Sequence, residues 1–315
     1  MRIATWNVNS LKARLEKVEW WLERAAPDVL LMQETKLTDE DAPVLPFAML
    51  GYELVHHGEG RWNGVAIATR VGAADVITNF DGRPIRDSGP GAAVSLEESD
   101  FDPLDEARMV SAVVDPSGTA GGPIRVVSLY APNGRVVGST FYTGKLVWFE
   151  RLAAWLDETA AAAGSEMAGT TAIPLLLGGD LNVAPTDDDV WDPVAAHGGT
   201  HVSEPERAAF RSLLDRGLTD AYRTRHGEPG RFTWWDYRAG AFQKNLGMRI
   251  DHLLVGPGLL GRVVDVEIDR EARKGKPVPS DHAPLVLDLD APGRPFDPGW
   301  AGAEERIAAR RAGQG

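Results

Sequence analysis

The sequence predicts an α/β protein made of two mixed β-sheets packed together, with helices on the outside. Three observations carry that expectation. Short apolar, β-rich runs outnumber the amphipathic helical stretches, the two kinds do not alternate as a doubly wound parallel sheet requires, and no linker divides the chain.

The β-rich runs fall at 3–6, 29–32, 65–69, 109–114, 124–129, 173–177, 250–255, 263–268 and 285–289. Between the first two, Leu11, Leu15, Val18 and Leu22 repeat at helical spacing, with Ser10 as N-cap and Pro27 as the stop. A second helix is expected at about 143–163, carrying Leu146, Phe149, Leu152 and Leu156 and ending at Gly164. A third begins at Ser203, where Glu206 completes a capping-box pattern, and ends near Gly217. Segments 81–106 and 187–201 read as long loops. After the last run, 291–315 is rich in Pro, Gly, Ala and Arg and is expected to be a partly disordered tail with a short helix at 303–311. One domain over 1–290 is the resulting expectation.

Composition narrows the function classes. The 315 residues include no cysteine, which excludes disulfides, thiolate zinc sites and a cysteine nucleophile. With no signal-like or membrane-spanning apolar stretch, a soluble intracellular protein is expected. The formal net charge of -13 argues against a phosphate-rich partner if taken as a whole. Much of that acid is clustered at 39–41, 97–106 and 187–189, however, and arginines and lysines cluster at 223–231 and 270–276, the latter read as a solvated loop. Charge therefore leaves a nucleic-acid partner open. Gly256-Pro257-Gly258-Leu259-Leu260-Gly261 matches a nucleotide-loop pattern but is read as a turn, because a β-like run follows at once and Pro257 lacks an amide hydrogen.

Polar groups recur at strand ends. Asn7 and Asn9 follow the first run, Glu34 the second and Tyr130 the fifth; Asp180 and Asn182 follow the sixth; Asp251 lies at the start of the seventh, and Asp281-His282 precede the last. Asn, Asp and Gly suit turns, so each position taken singly has a bland explanation. Together they suit phosphodiester hydrolysis. Carboxylates such as Glu34 and Asp281 are hard ligands for Mg²⁺, Asp180 is placed to orient or deprotonate water, and imidazolium, phenol and amide donors can stabilise charge on phosphoryl oxygens. Asp251 can hold His282 in one orientation, whereas His252 beside it is read as structural. Spacings typical of zinc sites are absent.

Six segments then carry a family resemblance: Trp6-Asn7-Val8-Asn9, Gln33-Glu34-Thr35-Lys36, Gly179-Asp180-Leu181-Asn182, Trp235-Asp236-Tyr237-Arg238, Arg249-Ile250-Asp251 and Ser280-Asp281-His282-Ala283-Pro284. In order over about 1–290, they resemble the motifs of the exonuclease III family of apurinic/apyrimidinic (AP) endonucleases, within the endonuclease/exonuclease/phosphatase superfamily. The resemblance implies a four-layered, DNase I-like α/β sandwich. It also implies Mg²⁺-dependent (or Mn²⁺-dependent) cleavage of double-stranded DNA 5′ to abasic sites, with 3′→5′ exonuclease and 3′-phosphatase or phosphodiesterase trimming. By motif, Glu34 is the principal metal ligand, with Asn7 and Asp281 near the metal. Asp180 is the favoured base over His282 or a deprotonated Tyr130, Asn182 positions phosphate or water, Tyr130 contacts phosphate, and Asp251 orients His282. Trp234, Met248 and Ile250 would line the pocket for a flipped, baseless sugar, and Arg135 and Arg238 would flank the gap in the duplex. A bacterial, cytoplasmic monomer that joins the nucleoid during repair and has no membrane partner completes the expectation. Two alternatives stay open: the same fold acting on another phosphodiester or phosphate, as an RNA deadenylase or phosphoinositide phosphatase does, or a non-catalytic DNA-binding relative. The Trp235-Asp236-Tyr237-Arg238 motif speaks against the first.

Overall fold

The computed structural model describes residues 1–80, 102–165, 173–276 and 278–293, with the side chains of 162–165 left aside. The first sheet holds β1 (Arg2–Asn7), β2 (Val29–Gln33), β3 (Glu53–His57), β4 (Val65–Thr69), β13 (Val263–Ile268) and β14 (Leu285–Leu289). The second holds β5 (Ala73–Thr78), β6 (Met109–Val114), β7 (Ile124–Tyr130), β8 (Leu175–Asp180), β9 (Thr219–Asp220) and β12 (Asp251–Val255), and β10 (Trp234–Trp235) pairs with β11 (Gly247–Met248) in a short ribbon. The orders are β13-β14-β1-β2-β4-β3 and β5-β6-β7-β8-β12-β9. Among the described strand pairs only β1–β2 and β7–β8 run parallel, so both sheets are mixed.

Strands with both faces covered need apolar residues on both, and the alternation of this sequence serves two cores. Ile3, Leu31, Ile67, Val126, Leu176 and Leu253 point between the sheets. Their neighbours point outward: Ala4 and Leu30 meet Val18, Trp21 and Leu22 of helix Leu11–Ala25, while Val127, Leu177 and Leu254 meet Phe149, Leu152, Phe210 and Leu213 of helices Thr140–Ser165 and Glu204–Leu214. The result is helix, sheet, sheet, helix: the expected four-layered sandwich. Gln33 of one sheet donates to Ser128 of the other at 3.0 Å, a buried polar tie within the interior. No helix among the described residues is long and apolar enough to cross a membrane.

Several boundaries differ from the sequence reading. The run expected at 173–177 is displaced into β8, which continues through Gly178 and Gly179 to Asp180. A Cβ on Gly178 would lie 2.5 Å from Leu31 Cδ1, and one on Gly179 would lie 1.9 Å from the Leu129 carbonyl oxygen. Close approach, absent from any local pattern, keeps these glycines in a strand. β3 and β5 were not expected, since their residues are half-exposed and polar in part. The stretch 187–201 is not a bare loop: Asp187–Asp189 form a 3₁₀ turn and Pro193–Ala196 a helical turn. Pro257–Leu260 likewise makes one helical turn before β13. The 270–276 run is not a solvated loop either, because Arg270 and Arg273 stack on Trp235 and Phe242 and Arg273 is buried. Of the acidic segment 81–106 and the tail 291–315, residues 81–101 and 294–315 lie outside the described residues, including the helix expected at 303–311.

The first helix ends as its sequence suggests, with one flaw. Ser10 Oγ caps Ala13 N–H, and the chain leaves through Ala26 in a left-handed conformation (φ 45°, ψ 52°) before Pro27. A non-glycine residue there costs about 1–2 kcal/mol. Ala26→Gly is therefore expected to stabilise the protein by about 1 kcal/mol, the gain being reduced by the greater freedom of glycine in the unfolded chain. Urea denaturation checks this; an unchanged or lower midpoint would contradict it.

Candidate active site

Strand register assembles the site. The parallel pairings align the C-terminal ends of β1 with β2 (Asn7 opposite Gln33) and of β7 with β8 (Tyr130 opposite Asp180). The antiparallel partners begin at that same edge, so Asp251 of β12 lies opposite Asp180, and Asp281-His282 enter just before β14. Glu34 follows β2 in a left-handed conformation (φ 52°), as do Asn9 (φ 43°), Lys36 (φ 54°) and Asn182 (φ 53°). Such conformations are disfavoured for side-chain-bearing residues and concentrate at functional sites.

Two carboxylates opposite one another in a sheet repel. Here His282 stands between them. Its Nδ1 donates to Asp251 Oδ2 at 2.8 Å, and its Nε2 faces Asp180 Oδ2 at 3.8 Å. Burial alone would lower the imidazole pKa, but Asp251 and Asp180 outweigh it and raise it, so the ring is held as imidazolium. Asp180 is fully interior; burial, with the charges of Asp251 and Glu34 adding to it, raises its pKa against the pull of His282 and Asn7. The other Asp251 oxygen, Oδ1, is buried without a hydrogen-bond partner among the described residues.

Asn7 is the hinge of the cluster. Asn9 N–H can only donate, which fixes Asn7 Oδ1 as its acceptor at 2.9 Å. The amide NH₂ must then face the acids, and it does, donating to Glu34 Oε1 at 2.8 Å and Asp180 Oδ2 at 2.9 Å. Asn7, expected beside the metal, thus turns its NH₂ to the two carboxylates and aligns them. Asp281 is also committed: Oδ1 accepts from Asn9 at 2.9 Å and Oδ2 from Trp234 Nε1 at 3.1 Å. His282 and these bonds hold its pKa low despite burial. The ligand atoms that converge are those of Glu34, Asp180 and His282, all within 4.8 Å of one another. Oxygen donors from carboxylates fit a hard divalent cation. His282, protonated and tied to Asp251, fits the part of a hydrogen-bond donor rather than a ligand.

Tyr130 is buried beside Glu34, and burial first and Glu34 second drive its phenol pKa well above the ordinary range, so it is a donor. Asn182 N–H donates to Asp180 Oδ1 at 2.9 Å, and its side-chain NH₂ to the Ala131 carbonyl at 3.0 Å. Lys36, which the sequence shows only as part of a motif, reaches Glu34 Oε2 at 2.9 Å and Asn9 at 2.7 Å. Ser280 links the strands, giving its hydroxyl to the Asn7 carbonyl at 2.6 Å and accepting from His282 N–H at 3.1 Å. Asn9 and Ser280, like Lys36, show in the sequence only as members of motifs at strand ends.

Next to Asp281, the half-exposed Trp234 and Met248 pack with Ala184, Val190, Val202 and the buried Ile250. Arg135 is exposed and stacks on Phe141, with its guanidinium 3.6 Å from the ring centroid. Arg238 is fully solvent-exposed and bound to Asp236 at 2.6 Å. His252 is interior; Arg249 only donates, so the ring accepts at Nδ1 (3.1 Å) and gives its Nε2 hydrogen to the Val183 carbonyl (2.9 Å). A cavity of about 250 Å³ lined by Tyr222, His226, Arg231, Phe232 and Arg270 lies elsewhere and contains none of the clustered acids.

Comparison with known proteins agrees with this geometry. The model of the Endonuclease/Exonuclease/phosphatase family matches residues 4–282. Exodeoxyribonuclease III of Haemophilus influenzae is 30% identical, over 92% of this chain and 100% of its own length. Among solved structures, a 3′ phosphatase, NExo, from Neisseria bound to product DNA hairpin superimposes with a TM-score of 0.77 at 36% identity, covering 92% of this chain and 100% of that one. An AP endonuclease from Archaeoglobus fulgidus gives 0.77 at 34%, with the same coverage.

Proposed function

Because this chain belongs to the endonuclease/exonuclease/phosphatase family, in its exonuclease III branch, we propose that it is a DNA-repair nuclease that incises duplex DNA 5′ to abasic sites and trims blocked 3′ ends. One observation carries the reading: Asp180, Glu34 and the Asp251-held His282 converge where strand ends of the two sheets meet, beside an apolar cluster that leaves Trp234 and Met248 half-exposed. An apolar surface of that kind suits a sugar without a base, whose extrusion from the stack costs least.

Each group then has a part. Asp180 accepts the proton of the attacking water, its raised pKa giving it the basicity the step needs. The water oxygen forms the new P–O bond as the sugar oxygen on the far side leaves. His282 imidazolium, the Tyr130 phenol and the second N–H of the Asn182 amide donate to the phosphoryl oxygens as charge grows there. Glu34 would hold Mg²⁺, or Mn²⁺ in its place, supplying Lewis-acid polarisation of the phosphate when bound. Arg135 and Arg238 would lie along the duplex. The expected setting is a monomer in the bacterial cytoplasm, working on double-stranded DNA without a membrane partner.

The test uses a duplex with one abasic-site analogue, a second duplex with a 3′-phosphate, and an intact control, each with Mg²⁺ or EDTA. Metal-dependent incision at the lesion and release of the 3′-phosphate are expected; a protein that cuts none of them at any concentration refutes the reading. Glu34→Gln should raise the Mg²⁺ needed for half-maximal incision at least as much as loss of an outer-sphere partner typically does, about 10- to 100-fold. An unchanged metal titration would remove Glu34 from its assigned place.

A further inference from the structure

Behind the site lies a buried ionic cluster that the mechanism above does not use. Lys145, from helix Thr140–Ser165, has no solvent exposure, and neither has its salt-bridge partner Glu206, from helix Glu204–Leu214. Lys145 Nζ also donates to the Asn182 carbonyl at 2.6 Å. That same oxygen accepts from His201 Nδ1 at 2.6 Å. Glu206 in turn accepts from the His201 N–H at 3.0 Å and from the Ser203 hydroxyl at 2.6 Å. Two side chains from separate elements therefore grip one carbonyl.

That carbonyl belongs to a residue in a disfavoured conformation. Asn182 sits at φ 53°, a left-handed geometry that asparagine tolerates better than most residues but that its surroundings still have to hold. On the site side its N–H holds Asp180 Oδ1 and its amide holds the Ala131 carbonyl. Turning the peptide after Asn182 would take the carbonyl off both donors at once. A buried ion pair is weak evidence of a contribution to stability, since apolar replacements of similar volume often do as well. A different role for this one is written in its contact with Asn182.

From this geometry we infer that Lys145 and His201 are positioning residues, which clamp the Asn182 carbonyl so that its amide and the Asp180 carboxylate face the scissile phosphate. The inference rests on the reading that Asn182 and Asp180 serve the reaction. Lys145→Met combined with Glu206→Gln removes the clamp's ammonium without leaving a buried charge unpaired. In the full-length protein, kcat for incision at the abasic analogue should fall about 10- to 100-fold, the scale of a small misplacement of reacting groups, with KM unchanged and the folded circular-dichroism spectrum kept. In an Asn182→Ala background the same pair of changes should cost clearly less than in the parent, because the side chain that the clamp aims is gone and only the Asn182 N–H to Asp180 is left for it to hold.

A folded double variant with the parental kcat overturns the inference, as does a loss that multiplies fully with Asn182→Ala. Should the double variant not fold, His201→Phe, which leaves the Lys145–Glu206 pair intact, is judged by the same kcat and non-additivity criteria. If Asn182→Ala itself turns over at the parental rate, the assignment of the site fails, not the clamp alone. A slow Asn182→Ala with a fast clamp variant defeats only the clamp.

Discussion

Asp180→Asn is expected to lower kcat for incision by about 10²- to 10⁴-fold, the usual contribution of a positioned general base, while leaving DNA binding intact. The exchange is nearly isosteric. Oδ1 still accepts from Asn182 N–H, so the strand end keeps its shape. What changes is the atom facing Asn7 Nδ2 and His282 Nε2: an amide there cannot take a proton from water. Binding should survive because the apolar cluster of Trp234, Met248 and Ile250 lies on a different set of elements. Single-turnover incision alongside gel-shift titration separates the two quantities. An Asp180→Asn variant cutting at close to the parental rate would move the role of base to another group, with Tyr130 a poor successor because its phenol is held protonated.

The second large effect concerns stability. Arg249 has no solvent exposure and bridges Asp189 at 2.7 Å and Asp220 at 2.8 Å, with its guanidinium 5.2 Å from the centre of the Tyr222 ring. It ties the 187–189 turn and β9 to the start of β12, two residues from Asp251. Arg249→Met leaves Asp220 buried without its main counter-charge, and Asp189 with Arg223 alone among charged partners. Breaking one side of a buried ion network costs about 3–5 kcal/mol, and urea unfolding at neutral pH should show a loss of that order. A loss under about 1 kcal/mol, the range of exposed pairs, would mean that the network is not coupled to folding.

The pH dependence gives an independent check. Burial pushes the pKa of both carboxyls up, but Arg249, joined at Asp189 by Arg223, outweighs it and depresses both. A depressed folded-state pKa stabilises above the unfolded value, about 3.9, and that contribution is lost as pH falls through the folded pKa. The parent should therefore lose this stability only below about pH 4. In the Arg249→Met variant the sign reverses for the orphaned acid, whose protonation relieves its burial cost. The stability gap between the two proteins should narrow as the solution is acidified, and a gap that widens would contradict the assignment.

How much of this was legible in the sequence depends on whether the signal is local. Glu34, Asp180, Asp251 and His282 lie at the ends of strands that apolar runs reveal, and a rigid strand end needs nothing distant to be recognised. The four layers follow from alternation in runs such as 124–129 and 250–255, where successive residues serve different cores. β8 was misplaced because Gly178 and Gly179 have no strand preference of their own; Leu31 and Leu129, far away in the chain, require them. The orientation of Asn7 was hidden for a related reason, since only the Asn9 N–H across the turn decides which side of the amide meets the acids. Lys145 reads as an ordinary helix charge and Glu206 as a capping-box residue, and nothing near either predicts that two helices will bury them together behind one carbonyl.

The site draws Glu34 and Asn7 from one sheet and Tyr130, Asp180 and Asp251 from the other, with the chain crossing between sheets from β4 to β5 and again from β12 to β13. No single stretch of sequence, and neither sheet alone, contains enough of it to work. Activity should consequently behave as a reporter of cooperative folding: under mild denaturant it should vanish together with the global transition rather than ahead of it, and complementary halves of the chain should recover it only by reassociating into the whole sandwich.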